Sequence, residues 1–479
     1  MKLYILLLLV FPILLTANSL EVCPDCEYTS ITQAANEAVP GDTILLNGTF
    51  TRGDKVTELK GTPENWIHII GINDATYDGN TTAIQLSDCE YLYISNITIQ
   101  GQSLNGMNID DAGTYDTPTH HIIIENCTFR DMASTGNNDL LKLSGLDNFE
   151  IRNCVFQNGS AGGSGIDMVG CHFGIINNNY FENMGSNCIQ AKGGTHDVSI
   201  ERNMFINGGF RGINIGGSTG LEFFRPQDAN FESRDMEVNS NIFVGGECAV
   251  AYVGTVNSSV FNNTIIGSRK WVFRILQETV DPNRFLTCGD NSFFNNLVLM
   301  DDSLSRTVNI GPNSRPETFF FSNNYWYHID NNEWNHNLPS EDNNPILDEN
   351  ISLTEKYGYN IYPEKNSVLV GAGLSLLDRT LAFDSIPFYT FAPTIGAFEL
   401  QTGTSDVIQT KTKGITVLGN ILEIEDSSLE KYKLYNYSGI LLSEGIIDNS
   451  RINILGIKEK YIIAILESKN KREIIIVIR

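Results

Sequence analysis

LYISNITI from Leu92, IIIENCTF from Ile122, FEIRNCVF from Phe149, GIINNNYF from Gly174 and VSIERNMF from Val198 are one signature written five times. It continues as MEVNSNIF from Met236, SSVFNNTI from Ser258, NSFFNNLV from Asn291 and TFFFSNNY from Thr318. Successive starts lie 30, 27, 25, 24, 38, 22, 33 and 27 residues apart, which is the range of a solenoid. Within each unit β-branched and aromatic residues alternate with polar ones. Each unit therefore holds strands, not a helix. Stacking such coils about 4.8 Å apart predicts an all-β chain folded as a right-handed parallel β-helix.

Reading down the aligned units gives columns. The fifth position is Asn96, Asn126, Asn153, Asn178, Arg202, Ser240, Asn262, Asn295 and Ser322. The sixth begins Ile97, Cys127, Cys154 and becomes asparagine from Asn179 through Asn323. Asparagine tolerates left-handed backbone and can hydrogen-bond along a stack, so these columns predict a corner ladder.

A β-helix needs its ends covered, because open edges invite aggregation. Ser30-Ile-Thr-Gln33 is a capping box that opens a short helix through about Val39, and Pro40-Gly-Asp stops it before a strand at Thr43. After Leu400 the pattern changes. A polar linker, residues 401–414, leads into KYKLYNYSGILLSEG, RINILGIKEKYIIAIL and REIIIVIR, the alternating strands of a small β-sandwich over 415–479.

Charge separates the same two pieces. The chain carries 32 basic and 57 acidic residues, net −25. Residues 406–479 hold 11 and 10 of these, so the first 405 hold 21 and 47. So acidic a body excludes non-specific binding to nucleic acid or an anionic membrane. Lys2, the apolar run Leu3–Leu15 and the small residues Ala17 and Ser19 read as a signal peptide over residues 1–19, cut after Ser19. No later run is long and apolar enough to span a bilayer, so the expectation is a secreted or cell-surface protein exported through the periplasm, working as a monomer. Cys23 and Cys26 form a lone C-x-x-C, read as a local disulfide or two free thiols. His120-His121, adjacent in a strand and so expected on opposite faces, is a weak metal signal, and no metal or cofactor is expected.

The stretch SITQAANEAVPGDTILL from Ser30 resembles the start of many secreted right-handed β-helix proteins, and SVLVGAGLSLLDR from Ser367 with TIGAFEL from Thr394 resemble their closing segments. This implies a β-helix body over residues 20–400. The tail resembles the C-terminal sorting domain of proteins exported by the type IX secretion route, with Gly456-Ile-Lys-Glu-Lys-Tyr461 where that group has a glycine-rich corner. The resemblance implies the type IX machinery as a partner.

Residues 162–217 carry the most chemistry. Aligning Ile166, Ile189 and Ile213 as inward residues puts Asp167, Gln190 and Asn214 outward, with Lys142 before them and Arg274 and Asn309 after. Lys192, two residues past Gln190, also points outward, and Arg211 sits at the turn into the next strand. GGSGID, GSNCIQAKGG and FRG resemble the active-site coils of polygalacturonase-type glycoside hydrolases. The catalytic aspartates of that pattern fall on Ser164, Ser186 and Asn187, none of them a carboxylate. Lys192 in IQAKGG and Arg211 in GGFRG resemble the base and its arginine partner in polysaccharide lyase family 6, the alginate and chondroitin lyases. That resemblance implies Lys192 and Arg211 as catalytic residues, and the outward Lys142, Asp167, Gln190, Asn214 and Arg274 on the same face are expected to bind the substrate.

The longest step carries GSTGLEFFRPQDANFESRD from Gly217, and a long insertion in a solenoid marks the binding face. Phe223 and Phe224 are expected to stack on sugar and Arg225 to meet an acid group. Arg269, Lys270, Trp271, Arg274 and Arg284 form the densest basic region, which suits an anionic polysaccharide. The reading is a polysaccharide lyase-like enzyme on a uronate polymer. The alternatives are a glycoside hydrolase using Asp139 and Asp167, or a non-catalytic glycan-binding surface protein.

Overall fold

A computed structural model describes residues 17–114, 116–347, 351–376, 380–390 and 392–400, and the strands and some connections between 415 and 478. The chain is a parallel β-helix followed by two small antiparallel sheets. Most coils of the solenoid add one strand to a ten-stranded sheet and one to three to a bent sheet of 25 strands. All pairings within both sheets are parallel, for example Ile166 with Ile189 and Ile189 with Ile213.

Corner chemistry makes this possible. Asn96, Asn126, Asn153, Asn178, Arg202, Ser240, Asn262, Asn295 and Asn323 all have φ between 50° and 58°. That left-handed step bends the sheet once per coil. The next residue points inward. From Asn179 the ladder runs through Asn203, Asn241, Asn263 and Asn296 to Asn324, each backbone N–H donating to the next side-chain Oδ1 at 2.9–3.0 Å. The ladder closes on Asp342, which accepts from Asn324 Nδ2 and Trp326 Nε1, both at 2.9 Å.

Beside the ladder, Phe129, Phe156, Phe181, Phe205 and Phe243 stack with ring centroids 5.0, 4.7, 5.0 and 4.8 Å apart. That is the strand spacing itself, so one aromatic per coil fills the core without voids.

Four expectations need correction. Ser292 pairs with Phe320, not Phe319, so the last signature is FFFSNNYW from Phe319, and the ladder members are Asn323 and Asn324. Three consecutive phenylalanines hide the alternation there, and the asparagine ladder sets the register. The cap helix spans only Ile31–Ala35, where Ile31 and Ala34 reach the core, although Ser30 Oγ does accept from Gln33 N–H at 3.2 Å. The coils end near Leu347. The described residues between 353 and 400 lie along the outside as the hairpin Leu353–Lys356/Tyr359–Pro363 and irregular segments, which put Ile361 of the hairpin and Ala397 and Phe398 on Met204, Ile206 and Ile242. His120 and His121 lie on one side, Nδ1 to Nδ1 2.9 Å, because His121 has φ 55° and breaks the alternation.

Residues 1–16 and the linker 401–414 lie outside the described residues. The strand Ser19–Val22 pairs with Thr43–Leu46, so a cut after Ser19 falls inside it. Cys23 and Cys26 are disulfide-bonded. In the tail a three-stranded and a four-stranded antiparallel sheet share a core of Ile424, Leu434, Ile452, Ala464 and Leu466, which makes a sandwich.

Candidate active site

The ten-stranded face holds the site. Its register sets Lys142, Asp167, Gln190, Asn214, Ala251, Arg274 and Asn309 in one outward column. Ser164, Asn187 and Arg211 stand at the N-terminal ends of the same strands, and Val169 and Lys192 at their C-terminal ends.

Two charge clusters form on this face. In the first, the Lys142 ammonium bonds Asp167 and lies 3.8 Å from Asp139, while Lys192 Nζ lies 3.4 Å from the other Asp167 oxygen. Burial and the charge of Asp167 push the Asp139 carboxyl up to about 6. Burial pulls the Lys142 ammonium down, but Asp167 and Asp139 outweigh it and raise it. In the second, Arg211 Nη2 lies 3.6 Å from Glu278, and Arg274 stacks on Trp271 at 4.4 Å while donating to Asn309 at 3.0 Å. Burial and the neighbouring Arg211 lower the Arg274 guanidinium.

Lys192 and Arg211 thus engage different carboxylates. Arg211 pairs with Asn187, five residues before Lys192, so their backbones stand about 17 Å apart at 3.3 Å per residue. Between them the polar groups are incompletely paired. Asn187 Nδ2 reaches Gln190 Oε1 at 3.2 Å, but the buried Asn187 Oδ1, Asn214 Oδ1 and Arg211 Nε have no hydrogen-bond partner among the described residues.

The insertion borders the C-terminal end of the face. Gly217 passes so close that a Cβ there would sit 2.8 Å from Gln190 Nε2 and 3.3 Å from Lys192 Cδ. Phe223 is 61% exposed. Phe224 and Arg225 are buried and cannot close over a substrate. Phe224 packs on Phe231 and Phe285, and Arg225 makes a bidentate pair with Asp147 at 2.6 and 2.8 Å. Arg284 leaves the basic region too, donating to the Ala229 and Gln227 carbonyls at 3.1 and 2.8 Å, which ties the connection after the strand Trp271–Leu276 to the insertion. Phe223 and Phe224 are adjacent and identical in type, so nothing in the sequence tells which one faces in.

The sequence reading missed Glu278 and Phe210. Glu278 follows a strand with no motif around it. Phe210, next to Arg211 and half exposed, lay outside the insertion where aromatics were sought.

Residues 70–296 match the family described as right handed beta helix region. No curated protein sequence matches the chain. Among solved structures it is similar to XylC in complex with xylose, at 10% identity over 80% of this chain and 98% of that one, TM-score 0.49. It is also similar to pectate lyase Pel9A, at 14% identity over 81% and 97%, TM-score 0.47. A third is an alginate lyase from Paenibacillus sp. str. FPU-7, at 16% identity over 62% and 97%, TM-score 0.44. At these identities and scores the likenesses carry no information about a substrate.

Proposed function

We propose that the ten-stranded face binds an acidic, uronate-containing polysaccharide and cleaves it by β-elimination. The observation that carries this reading is the layering of charge. Lys142, Lys192 and Arg211 keep 23%, 17% and 19% of their side chains exposed, while Asp139 and Asp167 beneath them keep 6% and 4%. A protein of net charge −25 therefore presents cations along one groove.

Lys192 is the proposed base. It removes the C5 proton of a uronate, the C5–H electrons form the C4=C5 double bond, and the C4–O bond breaks with its electron pair going to the leaving oxygen, which takes a proton from solvent water. The base must be neutral when it acts, and a carboxylate favours the ammonium. Asp167 is already held by Lys142, and Lys192 at 3.4 Å is the more loosely held of the two. Arg211 neutralises the uronate carboxylate, which takes the place of exposed Glu278, with Gln190 and Asn214 donating beside it. Arg274 and Phe223 extend the groove. Residues 1–19 and 415–479 serve export, as signal and type IX sorting domain, which brings the protein to the polymer outside the cell.

A second reading is hydrolysis with Asp139 as acid and Asp167 as its carboxylate partner, favoured by the rise of Asp139 to about 6. Incubation of the untagged protein with a panel of uronate polysaccharides decides between them. Elimination gives chains whose new ends absorb as unsaturated uronates. New reducing ends without that absorbance favour hydrolysis, and neither product from any polymer removes both.

A further inference from the structure

The C-terminal end of the solenoid holds a cluster that the groove does not use. The strand Leu297–Met300 pairs with Tyr325–His328, so Met300 and His328 are neighbours and the turns that follow bring Asp302 beside Asp330. Asp330 Oδ2 accepts the Asp302 N–H at 3.1 Å. One ring nitrogen of His328 and one carboxylate oxygen from each aspartate lie within 4.8 Å of one another.

His328 itself points to a ligand. It is fully buried, and neither ring nitrogen has a hydrogen-bond partner among the described residues. A buried polar group left unpaired destabilises the fold unless a ligand meets it. Trp334 stacks on the ring at 4.6 Å and is itself fixed by Nε1 donating to Thr307 at 2.9 Å, so the imidazole is held in one orientation toward the two carboxylates.

We infer that Asp302, His328 and Asp330 form a binding site for one divalent zinc-type cation, which fastens two neighbouring coils near the C-terminal end of the solenoid together. An imidazole with two carboxylates suits a borderline metal, since calcium and magnesium take oxygen ligands. Tetrahedral zinc at about 2.0–2.1 Å from N and O sets its ligands about 3.3 Å apart. The set must therefore close by roughly 1.5 Å from 4.8 Å, which the two exposed aspartate side chains can supply. Water fills the remaining position on the open side. Neutral imidazole and two carboxylates leave the bound ion uncharged overall, so the buried end of the core carries no net charge.

The test uses the untagged full chain, stripped with a chelator and dialysed against micromolar Zn²⁺, and compares it with Asp302→Asn/Asp330→Asn. Both changes are exposed and nearly isosteric, so the variant folds. The wild type is expected to retain one zinc more per chain than the double variant. Its thermal midpoint is expected to rise by several degrees with zinc, and the double variant's by less than one. His328→Gln should also lose the bound zinc. Equal zinc content in wild type and double variant overturns the site, as does uptake of Ca²⁺ in place of Zn²⁺. The outcome is independent of the groove's activity, since none of the three residues touches the ten-stranded face.

Discussion

Two polar columns run the length of this molecule, and they are built in opposite ways. The asparagine ladder from Asn179 to Asn324 lies inside the bend of the 25-stranded sheet. Its members both donate and accept, each to the coil before or after. The column from Lys142 to Asn309 lies outside the ten-stranded sheet. It mixes residue types, and among the described residues it leaves Asp167 Oδ1 and Asn214 Oδ1 buried without a hydrogen-bond partner, as it does Asn187 Oδ1 and Arg211 Nε at the strand ends beside it. A column that satisfies itself is a structural device, whereas one that does not is completed by something else. Repetition of one residue type marks the first, and its loss marks the second.

The largest effect should come from breaking the ladder. Asn263 Oδ1 accepts from the N–H and Nδ2 of Asn241, and its own Nδ2 donates to Val238, Phe261 and Asn296. Asn263→Ala orphans several of these fully buried groups at once. It should cost about 3–4 kcal/mol, read as a lower denaturant midpoint. A midpoint within error of the wild type would show that the ladder carries no more than the groove does.

A smaller effect tests the buried acid beneath the groove. The folded carboxyl of Asp139 lies at about 6 against an ordinary value near 3.8, so the native state holds more protons between those values. Stability contributed by this group is therefore present at low pH and falls as pH rises from about 4 to 6. Asp139→Asn keeps the acceptor that Ser164 N–H uses at 2.7 Å and removes the titration. Between pH 4 and 7 the wild type should lose about 2 kcal/mol more than the variant. Parallel stability curves would place Asp139 among ordinary carboxylates and weaken the hydrolase reading.

These contrasts explain what the sequence could convey. The solenoid was legible because one signature recurs and each recurrence votes for the same register. It failed where the votes were equal, at Phe319-Phe320-Phe321, and where no coil recurs, at residues 353–400. The outward column was legible from Ile166, Ile189 and Ile213, since alternation fixes which neighbours face out. Its partners were not. Lys142 finds Asp139 through proximity along one edge, while Arg211 finds Glu278 two coils on, and neither distance leaves a pattern in the chain. Phe223 and Phe224 are adjacent and identical in type, yet one is exposed and the other buried. Asp302, His328 and Asp330 come together only when two turns stack.

The smallest expected effect on stability is also the sharpest test of the comparison. Lys192→Ala removes a side chain that holds one oxygen of Asp167 at 3.4 Å, but Lys142 still bonds that carboxylate. Asp167 is thus not left as an unpaired buried charge, and the change should cost no more than about 1 kcal/mol. Elimination should nevertheless cease, because the proposed base is gone. Arg211→Lys should behave differently. An ammonium cannot grip a carboxylate bidentately, so substrate binding weakens along with turnover, whereas the Lys192 change leaves binding largely intact. If Lys192→Ala destabilised the fold as much as Asn263→Ala, the outward column would be a second ladder. If it kept full elimination activity, the base would lie elsewhere and the groove would be left as a binding surface.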